Sequence, residues 1–301
     1  MKRIVQPELL DTLPPEDTRA VRSRRDLSRV NGWMCQHTIM ANALQKALHR
    51  HPPGQITELG AGDGNFLLRV AQRISPRWPD VKVALPDLQK SVSAETLAAF
   101  AALGWPAEAI VADVFDWLQT FDAGQVVIAN LFLHHFQAAR LSELFRLISQ
   151  RAKLFIATEP RRAPWPLFCS RLLWAIGCNN VTRHDAVVSV RAGFSGEELS
   201  ALWPDRQNWR LAEHRAGAFS HLFIAQKNSP NSEFAAAISE GSTGHWPVPS
   251  GDPPLGTGKT IELFRAPVFS ASVLSLPSGQ WPDGTGGSPV PPVPISEFEL
   301  C

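Results

Sequence analysis

From residue 55 to residue 226 the chain alternates apolar strand-like runs with amphipathic helix-like runs, and this alternation limits the fold more than any other feature. Strand-like segments fall at 55–59, 81–86, 109–113, 125–131 and 153–159, with helix-like segments at about 64–75, 92–103 and 138–150 between them. Val127, Ile128 and Ala129 are apolar in succession, as expected of a strand covered on both faces. Strands separated by helical crossovers pair in parallel. Two more strand-like runs, 209–215 and 221–226, are separated by only a few residues including Gly217. That gap is too short for a crossover helix, so the last pair must be an antiparallel hairpin. The expected fold class is therefore α/β: a seven-stranded, mostly parallel, doubly wound sheet with a terminal antiparallel hairpin and helices on both faces. Residues 8–50 carry apolar positions at helical spacing (Leu27, Val30, Met34, Ala43, Leu44, Ala47), and Pro52-Pro53-Gly54 ends them. An N-terminal helical cap over 1–53 is expected ahead of a domain spanning 54–228.

The turn after the first strand is rich in glycine: Glu58-Leu59-Gly60-Ala61-Gly62-Asp63-Gly64 leads directly into a helix carrying Phe66, Leu67, Val70 and Ala71. Glycines there let backbone approach a ligand with no Cβ in the way, and the helix start adds free N–H groups and partial positive charge. Dinucleotide sites use G-x-G-x-x-G spacing against a pyrophosphate. Here the spacing is G-x-G-x-G, and Glu58 sits two positions before the first glycine. An acid at that point repels a pyrophosphate and favours a cationic ligand.

The segment E-L-G-A-G-D-G-N-F resembles motif I of the class I S-adenosylmethionine (SAM)-dependent methyltransferases, and later positions extend the resemblance. The second strand ends in Leu85-Pro86-Asp87, about 25 residues on, where an acid can accept both ribose hydroxyls. The third ends in Ala112-Asp113-Val114, where the family places an Asp against the adenine amino group. The fourth runs into Asn130-Leu131-Phe132-Leu133-His134-His135-Phe136, similar to the family's segment beneath the sulfonium. The resemblance covers about residues 25–227. It implies SAM as cofactor, held by Glu58, Gly60, Ala61, Gly62, Gly64, Asp87, Leu88, Asp113, Val114, Asn130 and Leu131. Pro86, directly before the ribose acid, departs from the usual pattern and restricts Leu85 to extended backbone.

Methyl transfer demands alignment, exclusion of water and, for a hydroxyl or amine acceptor, loss of a proton. His134 and His135 follow the fourth strand and are the candidate bases. An insertion at about 160–194 begins Glu159-Pro160-Arg161-Arg162 and bunches large aromatics. It is expected to act as a lid, with Trp165, Trp174, Arg183 and His184 binding a small aromatic or apolar acceptor. The E-P-R-R segment, the H-D-A-V-V-S-V-R-A-G-F stretch and N-G-W most resemble bacterial methyltransferases acting on quinones and polyketide phenols. The alternatives are a methyltransferase acting on RNA or protein and a SAM-binding relative without catalysis. The segment N-L-F-L in place of an N/D-P-P-Y/F motif argues against amino-group methylation.

The charge fits a small-molecule partner. Residues before Asn228 carry 27 Lys/Arg against 21 Asp/Glu, and the remainder carries 2 against 7, with no dense basic run to mark nucleic-acid binding. Cys35, Cys169, Cys178 and Cys301 have neither C-x-x-C nor His/Cys ligand spacing, so no metal site is expected and a reducing, cytoplasmic setting is. The longest apolar stretch after the sheet, 167–176, includes Arg171 and is too short to span a bilayer. Oligomeric state is not encoded in any pattern. Residues 229–301 hold 12 of the 25 prolines and 9 of the 20 glycines and repeat Trp-Pro and Pro-Val-Pro fragments, which predicts a disordered, repeat-like tail. Within it, Leu255-Gly256-Thr257-Gly258-Lys259-Thr260 imitates a phosphate-binding loop, but Pro253 occupies the position of its first glycine and no strand precedes it.

Overall fold

The computed structural model describes residues 1–14, 16–48, 51–120, 122 and 125–228. The expected tail and its loop-like segment lie outside the described residues. Seven strands form one sheet: β1 (Gln55–Leu59), β2 (Lys82–Asp87), β3 (Ala107–Val111), β4 (Gln125–Asn130), β5 (Ala152–Pro160), β6 (Trp209–Ala216) and β7 (Ser220–Lys227). Their order is β3-β2-β1-β4-β5-β7-β6. The first five pair in parallel, and β7 runs antiparallel between β5 and β6. The hairpin turn uses Gly217 at φ 67°, a left-handed conformation that costs glycine little.

Side-chain alternation along the strands divides the core in two. On one face, Ile56, Val126, Ile128 and Ile156 pack against Met40 and Leu44 of α3 (Gln36–Ala47) and against Leu67, Val70 and Ile74 of α4 (Asn65–Ile74). Phe100 of α5 (Ala94–Ala102) joins the same cluster. On the other face, Val127, Ala129, Phe155, Ala157 and Phe223 pack against Phe115 and Leu118 of α6 (Val114–Thr120) and Leu141, Phe145 and Ile148 of α7 (Ala138–Arg151). Trp203, just after α10 (Glu198–Leu202), lies parallel to Phe155 with centroids 5.8 Å apart. Both faces of β1, β4 and β5 are thus covered, which is why those strands read as unbroken apolar runs.

The N-terminal region is three helices: α1 (Leu9–Thr12), α2 (Thr18–Trp33) and α3. Pro14 ends the first, since proline cannot donate to a helix, and Asp17 caps the second by accepting from Arg19 N–H at 2.8 Å. Cys35, at φ 52°, turns the chain between the second and third. The insertion after β5 contains α8 (Pro164–Arg171), a short 3₁₀ turn at Leu173–Ile176 and α9 (Asn180–Ala192). Gly193 then passes so close to β5 that a Cβ would stand 2.2 Å from the Pro160 carbonyl oxygen. Two readings of the sequence shift. The third strand ends at Val111, not 113, and α6 follows where no helix was read, because seven residues carry too short a period. Among the described residues, no helix is long and apolar enough to cross a membrane.

Candidate active site

The glycine turn joins the end of β1 to the start of α4. Gly60, Gly62 and Gly64 all have positive φ (64°, 55° and 74°), which L side chains adopt only under strain. A Cβ on Gly60 would stand 2.2 Å from the Phe132 ring, whereas one on Gly62 would meet nothing within 4 Å. The turn is therefore packed on one side and open on the other. Asp87, the last residue of β2, holds it: Oδ2 accepts Gly62 N–H at 2.9 Å and Oδ1 accepts Gln89 N–H at 2.8 Å. Glu58 is 2% exposed, and its Oε2 has no hydrogen-bond partner. Burial, reinforced by Asp63 and Asp87, pushes its carboxyl well above the usual range, despite an opposing backbone hydrogen bond from Leu67. An orphaned acid behind an open glycine turn fits a cationic ligand.

The remaining strand-end residues follow in order across the sheet. Leu88 is exposed just beyond Asp87. Asp113 stands before α6 and accepts Phe115 N–H at 2.8 Å, capping that helix, while Val114 is buried at its start. Asn130 Oδ1 accepts the Thr158 hydroxyl at 2.7 Å, and Leu131 adopts φ 51°, unusual for a residue with a branched side chain. Ala61 is buried in the first core cluster.

Beyond Leu131 lies a cavity of about 470 Å³. Leu27 and Val30 of α2 and Met34 just after it form one apolar wall, and Pro166, Cys169 and Leu173 of the insertion form another. Its polar wall consists of Glu8, Asp11, His134, His135 and Ser189. His134 is buried between two carboxylates. Its Nδ1 lies 2.8 Å from Glu159 Oε2, and its Nε2 lies 3.3 Å from Glu8 Oε1. Glu159 is itself fully buried and accepts the backbone N–H groups of Phe132 (3.0 Å), Leu133 (2.8 Å) and His134 (3.3 Å). Glu8 also accepts the Ser189 hydroxyl.

Burial alone would lower the His134 pKa, but hydrogen bonds and charge from Glu159 and Glu8 outweigh it and raise the pKa to about 9. His134 is thus an imidazolium at neutral pH. The His135 ring lies beside it, centroids 4.2 Å apart, and is pushed the other way, by burial and by the His134 charge. Glu8 is held below the usual carboxylate range: burial opposes this, but His134 and Ser189 prevail. Asp11, 3.7 Å from His135, is raised to about 6 by burial and by repulsion from Glu8 and Asp185. Glu8, His134 and His135 offer atoms within 4.8 Å of one another, close enough for a metal ion. Both ring nitrogens of His134 already face carboxylates, however, so the cluster is organised as a proton network.

The N-terminal segment delivers Glu8 to this wall. Asp185 of α9 accepts Leu9 and Leu10 N–H at 2.8 and 2.9 Å, capping α1. Arg3 donates to the carbonyls of Ala192 and Phe136, and Ile4 N–H to that of Arg191. Arg162, buried after β5, donates to the Met1 and Gly193 carbonyls and to Glu198.

The four side chains expected to bind an acceptor are not in the cavity lining. On α8 the inward positions are Pro166, Cys169 and Ser170, so Trp165 points outward and stacks on Phe168. In the 3₁₀ turn Leu173 and Ile176 share the inner side, and Trp174 is exposed. On α9 the cavity takes Ala186, Ser189 and Val190; Arg183 bonds Asn180 Oδ1 nearer the helix start, and His184 faces solvent against Asp185. Glu8, Asp11 and the role of Glu159 had no local signal, because their partners lie far along the chain.

No protein-family profile and no curated protein sequence matches the chain. Solved structures do. The plantazolicin methyltransferase BamL, in complex with a triazolic desmethylPZN analog and SAH, aligns with a TM-score of 0.51 at 13% identity, covering 73% of this chain and 93% of that one. An O-methyltransferase family protein from Burkholderia thailandensis aligns at 0.49 and 19% identity, over 71% of this chain and 61% of that chain, so this chain spans under two thirds of its length. The plantazolicin methyltransferase BpumL with SAH aligns at 0.49 and 12% identity, over 71% and 92%. The strand order, the reversed β7 and the BamL alignment agree: the chain has the class I methyltransferase fold.

Proposed function

We propose that the protein is a SAM-dependent methyltransferase acting on a small, mainly apolar acceptor that carries an ionisable hydroxyl. The observation that carries this reading is the apolar cavity whose single polar wall begins beside Leu131, at the end of β4, and contains His134 and His135. Glu58 and the open side of the glycine turn suit the charged amino-acid end of the cofactor, Asp87 the ribose, and Leu88, Asp113 and Val114 the adenine. Asn130 and Leu131 would stand between cofactor and acceptor. When bound, SAM supplies an electrophilic methyl group on a sulfonium.

The chain's own residues must align the acceptor and remove its proton. His135, kept neutral by burial and by the charged His134 beside it, is the proton acceptor at the cavity wall. His134, locked by Glu159 and Glu8, is a positioning residue that fixes the His135 ring and sets its charge state. Leu27, Val30, Met34 and Leu173 exclude water, which strengthens these electrostatics. A cavity of this volume and lining suits a small apolar molecule better than a polymer.

The experiment is calorimetric titration of the full chain with SAM and S-adenosylhomocysteine, followed by methyl transfer from labelled SAM to a panel of apolar phenols and hydroxyquinones. Micromolar binding and turnover on part of the panel are expected. Absence of SAM binding would refute the cofactor assignment; binding without turnover across phenols, quinones and RNA would favour a non-catalytic role. Asp87→Ala should weaken SAM binding at least tenfold.

A further inference from the structure

The outer face of the α8–α9 region has no role in the chemistry above, yet it is unusually apolar for a surface. Trp165 and Trp174 are each 58% exposed, and Phe168, Leu172 and Ile176 are exposed with them. These side chains all belong to α8, its C-cap Leu172 and the 3₁₀ turn that follows. Trp165 stacks on Phe168 at 5.8 Å, Leu172 follows one turn later, and Ile176 borders a cleft shared with Val21 of α2. Exposed large apolar groups gathered in this way mark a contact surface.

The surrounding charge is one-sided. From residue 160 to residue 184 there is no Asp or Glu, and apart from Arg162, which is buried against Glu198, the segment carries Arg161, Arg171 and Arg183. Arg22 and Arg25 of α2 line the cleft beside Ile176 and Gly177, and Arg22 donates to the Gly177 carbonyl at 3.3 Å. The neighbouring acids, Asp17 and Asp26, are paired with Arg19 and Arg29. Indole rings with a polar N–H edge, framed by arginines, suit the boundary between lipid headgroups and acyl chains of an anionic bilayer. The patch also continues inward: Leu172 and Ile176 belong both to the exposed face and to the cavity lining.

We propose that this face docks the protein on an anionic lipid bilayer, with Trp165 and Trp174 seated at the headgroup level and Arg22 and Arg25 against lipid phosphates. The shared wall of Leu172 and Ile176 then gives a membrane-borne apolar molecule a path into the cavity without crossing water. The docking surface stands independently of the methyl-transfer reading, because neither SAM nor turnover enters its test.

The test is co-sedimentation of the full chain with vesicles of phosphatidylcholine alone and with vesicles containing phosphatidylglycerol at roughly one lipid in three. Binding to the anionic vesicles is expected to be at least tenfold stronger than to the neutral ones and to weaken with added salt. Trp165→Ser with Trp174→Ser, and separately Arg22→Gln with Arg25→Gln, should each lower it at least tenfold, with melting temperature unchanged. No binding to anionic vesicles, equal binding to both, or binding unaffected by either double variant would overturn the proposal. So would a concentration-dependent dimer abolished by the tryptophan variant, since the patch would then contact a second copy of the chain.

Discussion

Raising the pH should destabilise this protein over a window set by His134. In the folded chain its imidazolium is held between Glu159 and Glu8 with a pKa of about 9, against 6.5 for a free histidine. Between those values the native state keeps a proton that the unfolded chain has released, so stability falls as pH rises. Below 6.5 the contribution is fully present; above about 9 it is gone. Each pH unit inside the window removes about 1.4 kcal/mol, and the full interval removes about 3 kcal/mol. The assay is urea unfolding of the full chain at intervals from about pH 6.5 to about pH 9.5, for the wild type and for His134→Gln. The substitution keeps an amide donor near Glu159 and removes the titrating ring, so the wild-type advantage should shrink by about 3 kcal/mol across the series. Glu8→Gln, which leaves the histidine in place, should move the window to lower pH. Parallel wild-type and His134→Gln profiles would refute the claim that His134 is charged between the two acids.

His135→Ala should lower kcat by about 10²-fold or more while leaving SAM affinity unchanged. Because the pKa of His135 is depressed, wild-type kcat should rise with pH to a plateau reached near neutrality, as a steady-state profile would show. Gly60→Ala combines a left-handed backbone with a clash against Phe132, so thermal unfolding should show a larger loss than for Gly62→Ala, where only the backbone strain of about 1–2 kcal/mol applies. Arg162→Met leaves the Met1 and Gly193 carbonyls and the Glu198 carboxylate without their shared donor, so chemical unfolding should register a loss of about 3 kcal/mol. SAM binding should grow tighter as pH rises from acid values, since Glu58 must ionise to meet a cation, and calorimetry in buffers of different ionisation heat should detect the released proton.

The sheet was legible because β1, β4 and β5 are buried on both faces and carry that burial as uninterrupted apolar runs. The edge strand β3 is largely exposed. Its sequence lacks such a run, and its end was placed two residues late. The glycine turn and the acids at strand ends were legible by position, since an open sheet gathers its ligands there. The polar wall was not. Glu8 meets His134 across 126 residues, and Glu159 meets it across 25, and no local pattern encodes either pairing. The expected acceptor side chains lie outside the cavity lining for a different reason. Trp165 and Trp174 are apolar, and an apolar residue in an insertion reads as lining, but helix phase turned smaller neighbours inward and left the indoles outside.

The pinning of the N-terminal segment has a consequence for synthesis. Glu8, Leu9 and Leu10 are made before the groups that fix them, on Asp185 and Ser189, which follow about 180 residues later. At about 5–20 residues per second, that is a delay of roughly ten seconds or more. Through that interval the nascent chain can assemble β1 to β4, and Glu159 can reach His134 once β5 is made, yet Glu8 is not held in place and the cavity lacks a wall. The polar wall is therefore completed only after the first five strands have been made.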